Sequence, residues 1–146
     1  MFQIETSTVI NRPVEDVFAV LSNLENNPKW ASGFLEATKT SAGPIGVGTT
    51  WHVVQKALGQ RLESEVAVTA YEANRTCVQK GKGGPIAVEI RQTYEPVAGS
   101  TRVSLALEAE PGGFFKLAEP LVKNFAKRTL ETDLANLKDL MEARAL

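Results

Sequence analysis

A change of hydrophobic period along the chain constrains its fold more than any other feature. Across residues 34–108 apolar and polar residues tend to alternate, as in half-buried strands, whereas residues 114–145 have the composition of a helix. Glycine or proline punctuates most joints between the alternating segments, and short strands with tight links favour antiparallel pairing. The predicted strands after the first are residues 35–41, 49–56, 62–71, 75–80, 86–95 and 101–108.

The start of the chain predicts one further strand and two short helices. Residues 3–10 are rich in β-branched side chains, which favours a strand. Pro13 suits the first turn of a helix, Ser22 and Asn23 end that helix and cap a second short turn, and Pro28 ends the turn. The first helix has one apolar face, formed by Val14, Val17, Phe18 and Leu21.

Composition limits the classes of protein that the chain can belong to. Its 146 residues suit one domain, residues 1–146, and a net charge of −1 gives no electrostatic footprint for nucleic acid. The single cysteine, Cys77, rules out an internal disulfide and fits a reducing compartment. No signal peptide and no run long enough to span a bilayer are found, so the expected location is cytoplasmic.

The predicted final helix carries both apolar and charged faces. Pro120 should kink it, or mark where a short turn hands over to the main helix. Leu134 and Leu137 should pack on the concave face of the sheet. The basic cluster of Lys123, Lys127 and Arg128 is interpreted as a solvated face of this helix, which also carries Glu119, Glu131 and Asp133.

Four segments resemble one family. Residues 13–30, PVEDVFAVLSNLENNPKW, resemble the opening of START-like polyketide cyclase/dehydrase proteins, the SRPBCC superfamily. GVGTTW at residues 46–51 resembles the entry to their third strand. GSTRVSLALEAE at residues 99–110 resembles their last strand, and DLANLKDLMEA at residues 133–143 resembles their C-terminal helix.

This resemblance implies an α+β helix-grip fold of the START/Bet v 1 type. A seven-stranded antiparallel sheet would wrap around the C-terminal helix, with two short helices after strand 1 and a pocket between sheet and helix. Members of the superfamily include lipid carriers, hormone receptors, aromatic polyketide cyclases, quinone-binding proteins and a co-chaperone domain. They share no catalytic residues, so none is carried over. Rieske oxygenase relatives need a set of cysteine and histidine ligands or a histidine-histidine-carboxylate iron site, and this chain has one histidine and one cysteine. No metal or cofactor is therefore expected.

Alternation along the strands nominates residues for the cavity wall. Val88 and Ile90 belong to an inward series on the sixth strand that Gln92 and Tyr94 continue, and Gln55 shares the inward face with Trp51. A buried polar side chain needs a partner, which protein, water or ligand can supply. Alternatively, these polar residues lie at the sheet margin with their tips in water. The apolar wall is expected from Trp30, Trp51, Phe114 and Phe125.

Catalytic candidates are few. Tyr94 and His52 are the weak candidates for an acid or base, and His52 is expected on the outer face because its neighbour Trp51 faces inward. Glu63 and Glu65 share one strand face, interpreted as the wet one, and Cys77 is interpreted as a small buried filler.

Three functions remain open at this point. The first is binding of a small hydrophobic or aromatic molecule of lipid, polyketide or quinone type. The second is a cyclase or dehydratase enzyme, and the third is a protein-interaction module like the co-chaperone relatives. The expected partner is a small hydrophobic molecule rather than nucleic acid, and a homodimer stays open. The cavity mouth is expected between the N-terminal half of the final helix and the loops at residues 57–60 and 81–85, whose glycines allow large backbone change.

Overall fold

The computed structural model describes residues 1–84 and 86–146, without the side chain of Phe114. Its strands are β1 (Phe2–Ile10), β2 (Phe34–Lys39), β3 (Thr50–Ala57), β4 (Gln60–Glu72), β5 (Thr76–Lys82), β6 (Ile86–Val97) and β7 (Ser100–Pro111). Its α-helices are α1 (Val14–Leu21), α2 (Asn27–Trp30), α3 (Phe114–Leu117) and α4 (Glu119–Glu142), with a 3₁₀ turn at Leu24–Asn26 before α2. None of the helices in the described part of the chain combines the length and hydropathy required to cross a bilayer.

The strands form one seven-stranded sheet in the order β1-β7-β6-β5-β4-β3-β2, with every neighbouring pair antiparallel. The predicted helix-grip fold is therefore confirmed: a meander from β2 to β7, β1 added at the β7 edge, and the short helices between β1 and β2. Register shifts occur in β2 between Phe34 and Glu36 and in β4 between Val68 and Ala70. Such irregularities bend strands and help a sheet to curve.

The final helical region divides where the sequence predicts. The single turn of α3 ends at Leu117, and α4 begins at Glu119 with Pro120 in its first turn. Proline is tolerated there because its missing N–H would have no helical acceptor. Pro120 therefore starts the long helix instead of kinking it.

Apolar side chains under the helix form two clusters. The larger cluster joins α1 and the C-terminal half of α4 to the sheet, with Leu134, Leu137 and Met141 at 2%, 0% and 0% exposure. It includes Val103 and Leu105 and has Ile90 packed against it, as expected for Leu134 and Leu137. The smaller cluster lies at the other end of α4 and contains Phe2, Ile4, Ala109, Phe115 and Val122.

Hydrogen bonds fix the C-terminal half of α4 to the rest of the fold. Arg12 Nη1 donates to the carbonyl oxygens of Met141 (2.8 Å) and Leu146 (3.0 Å). Asn136 Nδ2 donates to the carbonyl oxygen of Trp30 at 2.9 Å. These bonds link the end of α4 to the β1–α1 connection and to α2, so this half of the helix is held against the short helices.

Candidate functional site

A cavity of about 520 Å³ lies between the sheet and the N-terminal half of α4. Its wall takes residues from both apolar clusters, including Leu21 and Leu105 from the larger and Phe2 and Val122 from the smaller. The core is thus divided, with the cavity between its two parts.

The floor of the cavity is the inner face of the sheet. Because side chains on a strand alternate between faces, every second residue reaches the floor. On β6 these are Ile86, Val88, Ile90 and Gln92. The neighbouring strands add Gln79 and Gly81 from β5, Leu62, Ser64 and Val66 from β4, Val53 and Gln55 from β3, and Leu105, Leu107 and Ala109 from β7.

The roof of the cavity is one face of α4. Its residues recur every three or four positions, which is the spacing of one helix face: Val122, Phe125, Ala126, Thr129, Leu130 and Asp133. Phe125 is 37% exposed although it lines the cavity, so it lies at the boundary between cavity and solvent. The basic residues Lys123, Lys127 and Arg128 are exposed, as predicted.

The rim includes the turn between β3 and β4, and this turn is tighter than expected. Only Leu58 and Gly59 connect the strands, with φ of 51° and 75°. Two positive φ values at the centre of a two-residue turn match the natural twist of a hairpin. The loop at residues 57–60, whose glycine was expected to allow large backbone change, is therefore a compact hairpin turn with Leu58 on the cavity wall. Of the second expected loop, Gly81 and Gly84 line the cavity, while Pro85 lies outside the described residues.

The backbone at Gly33 passes so close to β3 at the rim that only glycine fits there. Gly33 has φ of +87°, and a Cβ atom there would lie 2.7 Å from the carbonyl oxygen of Lys56. The Lys56 amide in turn donates to the Gly33 carbonyl oxygen at 2.7 Å. The segment after α2 is thereby held against β3 beside the cavity.

The amide side chains on the floor have different degrees of hydrogen bonding. Gln92 accepts a 2.7 Å hydrogen bond from the Tyr94 hydroxyl and donates to the Leu21 carbonyl oxygen at 3.4 Å. Gln79, which is 4% exposed, donates only to the Cys77 sulfur at 3.8 Å among the residues the structure describes. Of the two buried amides on the floor, Gln79 therefore has more unused hydrogen-bonding capacity than Gln92.

Asp133 brings a carboxyl group to the roof. It is 6% exposed, and its Oδ1 accepts hydrogen bonds from the Ser32 amide (3.0 Å) and the Ser32 hydroxyl (2.8 Å). Burial raises the pKa of Asp133, and the two bonds from Ser32 oppose that shift in part. Although Asp133 shares its helix with the exposed basic cluster, it is buried because the helix turns this position towards the cavity.

Six of the residues nominated for ligand binding line the cavity: Trp30, Gln55, Val88, Ile90, Gln92 and Phe125. The structure places Trp51 and Tyr94 elsewhere. Trp51 is 0% exposed within the larger apolar cluster, and Tyr94 packs edge-on against Phe18 with ring centroids 5.0 Å apart. Both side chains are buried, as expected, but neither is on the cavity wall because α1 and the C-terminal half of α4 fill that part of the sheet. Phe114 lies outside the described side chains.

The catalytic candidates do not meet in the cavity. His52 is on the outer face of β3, where Nδ1 lies 2.7 Å from Glu65 and Nε2 lies 3.2 Å from Glu63. Hydrogen bonds to Glu65 and Glu63 raise the pKa of this exposed histidine. Tyr94 is held by Gln92, and burial raises the pKa of its hydroxyl well above the usual value. Neither group lines the cavity, so neither is placed to exchange a proton with a molecule bound there.

Sequence reasoning did not nominate seven polar or charged residues of the wall: Asn27, Ser32, Lys56, Ser64, Gln79, Thr129 and Asp133. A signal for Asp133 was present, because it continues the helical spacing that runs through Phe125 and Thr129. Gln79 follows Cys77 by two residues and therefore shares its strand face. Because Cys77 is interpreted as buried, this spacing also indicated that Gln79 faces inward. Ser32 follows α2 in an irregular segment, where no periodicity indicates a direction.

A curved antiparallel sheet that holds a long helix over a largely apolar cavity defines a helix-grip protein. The chain belongs to the family described as polyketide cyclase / dehydrase and lipid transport, whose model matches residues 1–142. The predicted superfamily membership is thereby confirmed.

Similar solved structures support the same fold. Protein TTHA0849 from Thermus thermophilus aligns with a TM-score of 0.84 at 19% identity, covering 99% of this chain and 100% of that one. A START superfamily protein from Mycobacterium smegmatis aligns with a TM-score of 0.77 at 21% identity, covering 97% and 95%. The di-domain ARO/CYC BexL of the BE-7585A biosynthetic pathway has a TM-score of 0.73 at 14% identity, covering 97% of this chain and 48% of that one. No curated protein matches the chain. At these identities the likeness concerns the fold alone.

Proposed function

We propose that the protein binds a small apolar or aromatic molecule, of lipid, polyketide or quinone type, in the cavity between the sheet and α4. The observation that carries the proposal is the cavity of about 520 Å³, whose wall is mostly aliphatic and aromatic. Pockets for small molecules occupy roughly 300–1,000 Å³ and combine such walls with a few polar groups. Here the polar groups are chiefly amides, hydroxyls and one buried carboxyl.

The two other functions have less support. A cyclase or dehydratase that used Tyr94 or His52 would need one of them at the bound molecule, and neither lines the cavity. An interaction module needs only a well-packed core and an exposed face, whereas this core encloses a cavity. The family description includes both cyclases and lipid transport, so it is compatible with binding and does not choose a ligand.

The proposal is tested with an uncharged apolar dye, N-phenylnaphthylamine, and a matched pair of substitutions on α4. Phe125→Ala removes an aromatic ring from the wall, whereas Lys127→Ala changes an exposed residue two positions away. Because aromatic rings supply much of the buried contact area, we expect Phe125→Ala to weaken dye binding by about tenfold. Lys127→Ala should change it by less than about twofold, as surface substitutions generally have small effects. Because the dye is uncharged, loss of the lysine charge should not itself change the affinity for the dye.

Dye binding is measured by fluorescence titration, and near-ultraviolet circular dichroism confirms that each variant stays folded. Equal effects of the two substitutions would contradict an internal site. Dye binding that appears only after partial unfolding would do the same. In either case the interaction module would become the better proposal.

A further inference from the structure

Asp133 differs from the rest of the cavity wall. Among the residues that the structure describes, only Asp133 and Lys56 bring an ionisable side chain to the wall. Lys56 is exposed at the rim, whereas Asp133 is 6% exposed on the buried face of α4. A carboxyl group in such surroundings is costly unless its oxygens have hydrogen-bond partners.

The two carboxyl oxygens of Asp133 are not equivalent. Oδ1 accepts both hydrogen bonds from Ser32, at 3.0 and 2.8 Å. Within the described part of the chain, no donor reaches Oδ2. A carboxyl oxygen can accept about two hydrogen bonds. Asp133, which lines the cavity, therefore has one fixed oxygen and one oxygen with unused acceptor capacity.

The wall segment next to Asp133 contains further polar atoms without partners. Trp30 and Asn27 belong to α2, just before Ser32, and both line the cavity. Trp30 Nε1 and Asn27 Oδ1 are buried and form no hydrogen bond with any described residue. Unsatisfied buried polar atoms are uncommon in folded proteins and call for a specific explanation. Here they coincide with the one part of the wall that also holds a buried carboxyl.

A purely structural role explains only half of this arrangement. The bonds from Ser32 to Oδ1 fasten the segment after α2 to α4, and this latch needs one carboxyl oxygen. An asparagine would provide the same latch through its own Oδ1 without burying an ionisable group. The latch therefore gives no reason for a second acceptor oxygen at this position.

We infer that the bound molecule carries a hydroxyl group, phenolic or alcoholic, which donates a hydrogen bond to Asp133 Oδ2. This inference rests on the proposed function and specifies the ligand class of the same cavity. A hydroxyl is favoured over a charged group because a cation would lose its hydration among the apolar residues of the wall. The apolar body of the molecule would lie against Phe125, Val88 and Ile90. Asp133 would thus orient the molecule.

The inference is tested by isothermal calorimetry with β-naphthol and its methyl ether. The two probes share one aromatic body, but only the naphthol donates a hydrogen bond. Because a hydrogen bond to a carboxylate contributes about 1.5–3 kcal/mol, the wild-type protein should bind the naphthol at least about tenfold more tightly. Equal affinities for the two probes would overturn the inference.

The Asp133→Asn variant tests whether Asp133 is the source of the preference for the naphthol over its methyl ether. The variant keeps an Oδ1 acceptor for Ser32 but replaces Oδ2 with the amide NH2, which donates hydrogen bonds and cannot accept one from the naphthol. The preference for the naphthol should therefore disappear. Glu131→Gln is the matched control, because it removes a carboxylate from an exposed position two residues away on α4 without touching the cavity wall. It should retain the wild-type preference. A preference that survives Asp133→Asn would mean that another acceptor, such as Gln79, binds the hydroxyl.

The outcomes also separate this inference from the proposed function. If neither probe nor naphthalene itself binds, the proposed function is contradicted, and the inference about Asp133 is contradicted as well. If both probes bind wild type equally, the cavity binds apolar molecules but Asp133 does not select hydroxyls. The wild-type comparison stands even if Asp133→Asn fails to fold, because it uses no variant.

Discussion

Cys77 lies at 0% exposure on the inner face of β5, within the larger apolar cluster. Burial raises the pKa of its thiol to about 11, and the hydrogen bond from Gln79 opposes this only in part. The thiolate is the reactive form of cysteine, and a thiol in apolar surroundings is inert. The interpretation of Cys77 as a buried filler therefore has a chemical consequence.

We expect native Cys77 to resist alkylation by iodoacetamide. With a pKa of about 11, roughly one thiol in a thousand is ionised at pH 8, and the reagent has no access to the sulfur. Mass spectrometry should find the native protein unlabelled after an hour and the protein in denaturant fully labelled. Rapid labelling of the folded protein would show that β5 opens locally or that the thiol is less buried than described.

Adjacent residues show which part of the site alternation can predict. Trp51 faces inward and His52 outward, as expected, because neighbouring side chains of a strand lie on opposite faces. Alternation does not say whether an inward residue meets a cavity or another side chain. Trp51 and Tyr94 are inward but packed, whereas Gln92, also inward, reaches the cavity. That difference depends on where α1 and α4 cover the sheet, which no local pattern encodes.

At the scale of elements, α4 is held differently along its length. In its C-terminal half, Met141 accepts a bond from Arg12, Asn136 donates to the Trp30 carbonyl oxygen, and Lys138 Nζ donates to the Val9 carbonyl oxygen at 2.7 Å. Near its N-terminal end, Glu119 pairs with the amino group of Met1 at 2.8 Å, an exposed contact that salt screens. The end of the helix that covers the cavity is therefore the more weakly held end.

Leu137→Ala should lower the free energy of unfolding by about 2–5 kcal/mol, because Leu137 is fully buried and truncation leaves a space in the core. Urea unfolding followed by circular dichroism measures the change. Leu121→Ala is the control on the same helix: Leu121 is 62% exposed, so its truncation should cost less than about 0.5 kcal/mol. Similar losses from both substitutions would mean that the buried face of α4 is assigned incorrectly.

The order of elements could be predicted from the sequence more completely than their packing. Strand and helix periods, proline positions and the family-like segments together predicted the seven strands and the long helix. The inward direction of Asp133 was not predicted, although its spacing from Thr129 indicates it, because the apolar stripe of this helix drifts and a carboxylate ordinarily marks the solvated side. A buried polar residue at a cavity departs from local rules, as functional sites often do.

At the scale of the whole molecule, the core consists of two apolar clusters separated by a cavity. Residues of each cluster line the space between them, so filling that space with an apolar molecule would join the two parts. Leu130 already packs against both clusters. A bound molecule would therefore stabilise the fold as well as occupy a site, by binding the native state alone.

The cavity also increases the volume of the folded protein relative to its mass. Unfolding eliminates internal space, so hydrostatic pressure favours the unfolded chain, and the volume change grows with the space that is lost. We expect bound β-naphthol to make the unfolding volume measurably less negative, because it occupies part of the 520 Å³ cavity. High-pressure fluorescence measures this as a change in slope, which separates it from the shift in midpoint that any ligand causes. An unchanged slope despite tight binding would place the molecule outside the cavity. The volume change of unfolding would thus report whether the cavity is occupied, without a label on the protein or on the bound molecule.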